Sequence, residues 1–133
     1  TPSPPPPTPP AASLAVSRRE AAGAVGVDVD GLAKRGATDS QVVGGYFGPA
    51  CYISDSFPSL LYLAYKHADS FEAAVLSNTN VGGENCHRGS ALGALVGAAH
   101  GESGIPPALI EGLHDSRAIR GEIDRFVEIF FPA

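Results

Sequence analysis

The sequence predicts an all-α fold, a helical bundle of five to seven helices, and three observations carry that prediction. No segment alternates apolar and polar residues with period two over a useful length, as a half-buried strand requires. Near the C-terminus, Ile119, Ile123, Phe126, Val127 and Phe130 fall at offsets of 0, 4, 7, 8 and 11, which is one face of an α-helix. Between Asn78 and Gly101 the chain reads NTNVGGENCHRGSALGALVGAAHG, a polar turn feeding a segment of Ala, Gly and Leu that ends at a helix-stopping glycine.

The elements follow in order. Residues 1–12 begin TPSPPPPTPP, with seven of the twelve prolines and no charge. Such a stretch cannot build a core and reads as a proline-rich linker or tail, leaving 13–133 as the helical domain. Ser13 to Gly26 is rich in Ala and suits a helix ending at Gly23 or Gly26. Asp28, Asp30 and Gly31 look like the opening of a calcium loop, but the later ligands are missing, so a turn or short capped helix is the better reading. Thr38 or Asp39 caps a short helix through Val42 and Val43 that Gly44-Gly45 stops, and Tyr46 to Ile53 reads as an ordered loop.

Ser56 then caps a helix with Pro58 in its first turn, where proline is tolerated. Leu60 to Tyr65 makes that helix apolar nearly all round, so it belongs at the centre. Asp69 and Glu72 have capping-box spacing and open a helix that ends near Asn80. The next helix runs from about Cys86 to His100, with Asn85 as its cap. Its glycines at 89, 93, 97 and 101 form one stripe, and interior glycine costs about 1 kcal/mol relative to Ala. Close approach of a neighbouring helix would offset that. Pro106-Pro107 opens a short helix through Leu109, Ile110 and Leu113, ahead of the final amphipathic one.

Composition removes several classes of function. Net charge is −5 with no basic run and no basic–aromatic interleaving, so no nucleic-acid partner is expected. The longest apolar run, Ser90 to Ala99, is half the roughly 20 residues a membrane span needs, so no membrane partner is expected either. The N-terminus is proline-rich rather than basic and then apolar, so no secretory leader is read there. Cys51 and Cys86 could pair, but two cysteines are no disulfide framework, and an intracellular, cytoplasmic setting is expected. The chain starts at Thr, and the proline tract leads straight into the domain, as in a piece of something longer.

The candidate site lies at the doubled glycine. Glu84 precedes a helix N-terminus with Arg88 four residues on, so a capping or surface ion pair explains it as well as a role as cation ligand or hydrogen-bond acceptor. Cys86 and His87 could meet a soft metal, but no second pair with zinc spacing exists. Cys86 as a nucleophile lacks a recognisable base. His67, His100 and His114 lie near helix ends, where capping carbonyls is the default role, and Ser54, Asp55 and Ser56 read as turn and cap.

Taken together, SDSFPSLLYLAYKHADSFEAAVLSNTNVGGE, RGSALGALVGAAHG and IPPALIEGL, in that order, resemble the C-terminal part of the ADP-ribosylglycohydrolase family. These are all-α hydrolases that remove ADP-ribose from proteins or related acceptors, and the resemblance covers Gly48 to Leu113. The family loop typically reads Gly-Gly-Asp-x-Asp-Thr, and its aspartates and threonine help hold a pair of magnesium ions. Carried over, Gly82 and Gly83 match the glycines, Glu84 the first aspartate, Cys86 the second and His87 the threonine.

The resemblance thus implies magnesium as cofactor with Glu84 as a metal ligand, and Gly82, Gly83 and Asn85 as ligand-binding positions. Cys86 and His87 are poor magnesium ligands, because that ion takes oxygens in tight octahedral geometry. Tyr46, Asn80 and Arg88 are further polar positions that a divergent branch could use. The family's remaining ligands and its acidic residues acting on water lie in an N-terminal part whose Thr-Asp-Asp pattern Asp28 and Asp30 do not reproduce.

The expectation is a C-terminal fragment of an enzyme that cleaves the glycosidic bond to ADP-ribose in its full-length form, with the N-terminal part of the same fold as partner. Two alternatives are a degenerate module that binds ADP-ribose or a protein without turnover, and an unrelated small helical module. Removing partner helices should leave a large apolar patch on the Leu60–Tyr65 helix or the glycine stripe.

Overall fold

The computed structural model describes residues 26–132, so the proline tract and nearly all of the expected helix from Ser13 lie outside the described residues. The described residues are all-helical, with no strand among them. The helices are α1 (Val29–Lys34), α2 (Ile53–Lys66), α3 (Phe71–Asn80), α4 (Asn85–His100), α5 (Pro107–Glu111) and α6 (Ser116–Phe130). A π-helical segment, Gln41–Phe47, joins α1 to α2, and a 3₁₀ turn, Glu102–Gly104, follows α4.

Local chemistry explains most boundaries. Asp28 caps α1 by accepting from Gly31 N, the short capped helix the sequence favours over a calcium loop. Thr38 and Gln41 form a capping box: Gln41 N donates to Thr38 Oγ1, and Thr38 N donates to Gln41 Oε1. The helix they start does not stop at Gly44-Gly45. It widens into π geometry and runs to Phe47, ending at Gly48, whose φ of 102° only glycine adopts freely.

Two other starts are corrected. Helix α2 begins at Ile53, not at Ser56, which puts Pro58 inside the helix and removes one backbone donor there. Helix α3 is capped by Ser70, which accepts from Ala73 N, so the Asp69–Glu72 box is off by one.

Helix α2 is central, as its all-round apolar face requires: Leu60 to Ala64 are all buried. Around it the core gathers Val29 and Leu32 from α1, Val42 and Val43 from the π segment, Ala74 from α3, and Leu92 and Val96 from α4. Helix α4 meets this core through Arg88, Leu92, Val96 and Ala99 rather than through its glycines. A Cβ on Gly89 would come within 2.7 Å of the Asn78 amide, whereas on Gly93 it would meet nothing within 4 Å. Of the four glycines, Gly89 and Gly97 meet α3, at Asn78 and at Phe71 (3.5 Å from an added Cβ), while Gly93 and Gly101 are open, so the stripe is not a continuous groove for a partner helix.

Helices α5 and α6 stand outside the core, with no buried residue in either. The apolar face of α6 is exposed instead, from Ile119 at 36% to Phe130 at 63%. The expected apolar patch is found neither on the Leu60–Tyr65 helix, where Leu60 to Ala64 are buried, nor on the glycine stripe; the exposed apolar face is that of α6. Cys51 and Cys86 are both free and exposed, so the disulfide is not formed. No described helix is long and apolar enough to cross a membrane.

Candidate functional site

The doubled-glycine turn is built by steric necessity. Gly82 and Gly83 both take positive φ, 73° and 67°. A Cβ on Gly83 would lie 2.4 Å from the Pro49 carbonyl oxygen, so only glycine fits against that backbone. The closeness is used: Glu84 N donates to Pro49 O at 2.9 Å, tying this turn to the loop after the π segment.

From beneath, Arg88 and Asn78 fix the turn. Arg88 is only 2% exposed. Its Nε donates to Asn78 Oδ1 at 2.6 Å and its Nη2 to Gly82 O at 2.9 Å. Asn78 Nδ2 in turn donates to Asn85 O at 2.9 Å. The surface ion pair expected between Glu84 and Arg88 is therefore not what forms. Arg88 is an internal brace whose contacts are neutral carbonyl and amide oxygens, and burial lowers its pKa. Its Nη1 is buried without a hydrogen-bond partner among the described residues.

Glu84, not Asn85, caps α4. Its Oε1 accepts from His87 N at 3.4 Å and lies 2.8 Å from His87 Nδ1. These two hydrogen bonds hold the Glu84 carboxyl below its usual pKa. Its side chain is 32% exposed, neither sunk in the fold nor fully in water. Asn85 instead donates through Nδ2 to Thr79 O, while Cys86 and His87 point outward as exposed residues. The turn thus brings Gly82, Gly83, Glu84, Asn85, Cys86 and His87 to one rim.

Magnesium can be weighed against this donor set. The rim offers one carboxylate, already engaged by His87, beside a thiol and an imidazole. Among the described residues no three His, Cys, Asp or Glu side chains group closely enough to hold a metal ion. Magnesium wants oxygen ligands in near-ideal octahedral order, so these residues do not fit it.

A second polar cluster went unread in the sequence beyond Asp39 as a helix cap. Asp39 Oδ1 takes Lys66 Nζ at 2.8 Å and Tyr62 Oη at 3.1 Å, while Oδ2 meets His67 Nε2 at 2.7 Å and also the Ser77 hydroxyl. Burial alone would raise the Asp39 pKa, but these donors outweigh it and bring it down to about 2. For Lys66 burial works the other way, lowering the pKa, and the hydrogen bonds to Asp39 and Tyr62 reverse the balance and raise it. The cluster staples the π segment to α2 and α3. No sequence spacing reveals it, because its members lie as many as 38 positions apart.

His100 fulfils the carbonyl-capping role, with Nε2 2.9 Å from Ala68 O, whereas His67 pairs with Asp39 and His114 sits exposed beside Asp115. A cleft of about 390 Å³ lies away from the glycine turn, between α5, α6 and Phe71 at the start of α3. Its walls include Ile105, Leu109, Ile119 and Ile123, with the Glu102–Arg120 ion pair also lining it.

Against known proteins, a family model described as ADP-ribosylglycohydrolase matches residues 10–133. No curated protein and no solved structure matches the chain.

Proposed function

The chain belongs to the ADP-ribosylglycohydrolase family, and on that premise we propose that its glycine turn forms one wall of an ADP-ribose cleft. Hydrolysis of the bond between ADP-ribose and its acceptor then belongs to a longer chain that supplies the other wall. The observation carrying this reading is the rigid presentation of Glu84. A Cβ-free contact with Pro49 and the buried Arg88–Asn78 brace hold the 82–87 rim in one shape before any ligand arrives. Preorganisation of that kind lowers the ordering cost of binding. Gly82, Gly83 and Asn85 are the backbone and amide positions that would face the ligand, and Glu84 would accept a hydrogen bond from it.

A second reading is favoured by a specific feature: Cys86 and His87 stand where the family pattern has an aspartate and a threonine. On that reading the protein binds ADP-ribose without turning it over. Family members are metal-dependent, and this donor set supplies at most one oxygen ligand from the loop. Calorimetric titration of the protein with ADP-ribose, with and without magnesium, tests both readings. ADP-ribose binding that weakens about tenfold or more in Glu84→Gln supports the cleft. Release of ADP-ribose from a modified protein by a longer parent chain, lost in the same variant, favours hydrolysis, and binding without release favours the second reading. No binding by either protein sinks both.

A further inference from the structure

The family loop holds its cations through oxygen, whereas the turn at 82–87 puts other donors at two of the three positions carried over. Glu84 keeps an oxygen, but Cys86 brings sulfur and His87 nitrogen. His87 also engages the carboxylate that remains. Its backbone N and its ring Nδ1 both reach Glu84 Oε1, at 3.4 and 2.8 Å. The residue at the threonine position thus takes hold of the surviving acid.

The carbonyls of the turn face donors of their own chain as well. Gly82 O accepts from Arg88 Nη2 at 2.9 Å, and Gly83 O accepts from Asn85 N at 2.9 Å. Arg88 is buried, and its guanidinium also acts on the Glu84 carboxyl through space, favouring the charged form. A divalent ion beside Glu84 would meet that fixed positive charge and would compete with His87 for the one carboxylate. Magnesium gives up its water reluctantly, and only to a well-formed set of oxygens.

We infer that this turn is a magnesium-free form of the family loop, in which the Glu84–His87 pair stands in place of the cation. An ionised carboxylate accepts and cannot donate, so the proton between the two lies on His87 Nδ1. Nε2 then points away from Glu84 on a side chain that is 87% exposed. On the cleft reading, on which the choice of ligand rests, that nitrogen hydrogen-bonds a ribose hydroxyl, and ADP-ribose binds with no need of magnesium.

Magnesium chloride titrated to about 10 mM into the isotope-labelled full chain, followed by NMR, tests the turn without any nucleotide, since that range reaches millimolar affinities. At about pH 8, above the ordinary histidine range, the amides of residues 82–88 should not move. The His87 ring should carry its proton on Nδ1 with and without magnesium, and lose that preference in Glu84→Ala. Saturable magnesium shifts centred on Glu84, absent from Glu84→Gln, overturn the inference, as does a His87 ring protonated on Nε2 alone. Calorimetry extends the test to the ligand: ADP-ribose affinities in about 10 mM magnesium and about 10 mM EDTA should agree within about twofold. A gain of about tenfold or more with magnesium that Glu84→Gln removes also overturns the inference. If ADP-ribose does not bind at all, the cleft reading fails, while the magnesium titration still decides whether the turn is magnesium-free.

Discussion

Gly83 and Gly93 are the same residue type under opposite constraints. At Gly83 a methyl group would strike the Pro49 carbonyl and the backbone sits at φ 67°, so Gly83→Ala should destabilise the fold by about 2 kcal/mol or more. At Gly93 nothing lies within 4 Å and the position is interior to α4, so Gly93→Ala should stabilise by about 1 kcal/mol. Thermal unfolding of the two variants should move the midpoint in opposite directions. Arg88 makes a third case. Arg88→Ala leaves the buried Asn78 Oδ1 and the half-buried Gly82 O without their donor, at a cost of about 3 kcal/mol by urea unfolding. Arg88→Lys should recover little, because one ammonium cannot reproduce the fork that reaches both oxygens.

At the level of elements, the Asp39 cluster is the strongest tie between the π segment, α2 and α3. Its carboxyl titrates at about 2 in the fold against an ordinary 3.8. The folded value is the lower one, so the contribution is fully present above pH 4 and is lost as the pH falls from about 4 towards 2. The difference corresponds to about 2 kcal/mol. Stability measured across that window should therefore fall in the native protein, and most of the fall should vanish in Asp39→Asn. Helix α4 shows how an element's face is chosen. Its glycines touch α3 at Gly89 and Gly97, yet Arg88, Leu92, Val96 and Ala99 are the residues that go inside.

Among the described residues the core is confined to α1 through α4, and α5 and α6 are attached to it without a buried residue. Hydrogen exchange should show α6 amides at least about 100-fold less protected than those of α2 and α4, because opening α6 exposes little that is not already exposed. The sequence alone determined the all-helical class, the central place of α2, the stop at Gly101 and the resemblance to the family whose model matches the chain. Those features are written in periodicity, caps and local motif, which depend on neighbours a few positions away. Only the tertiary structure decided that Arg88 is an internal brace, that Asp39 gathers four partners, and that the amphipathic face of α6 meets water. Each depends on which distant surface comes to lie against a side chain. An apolar stripe encodes the need for burial but not the partner that provides it.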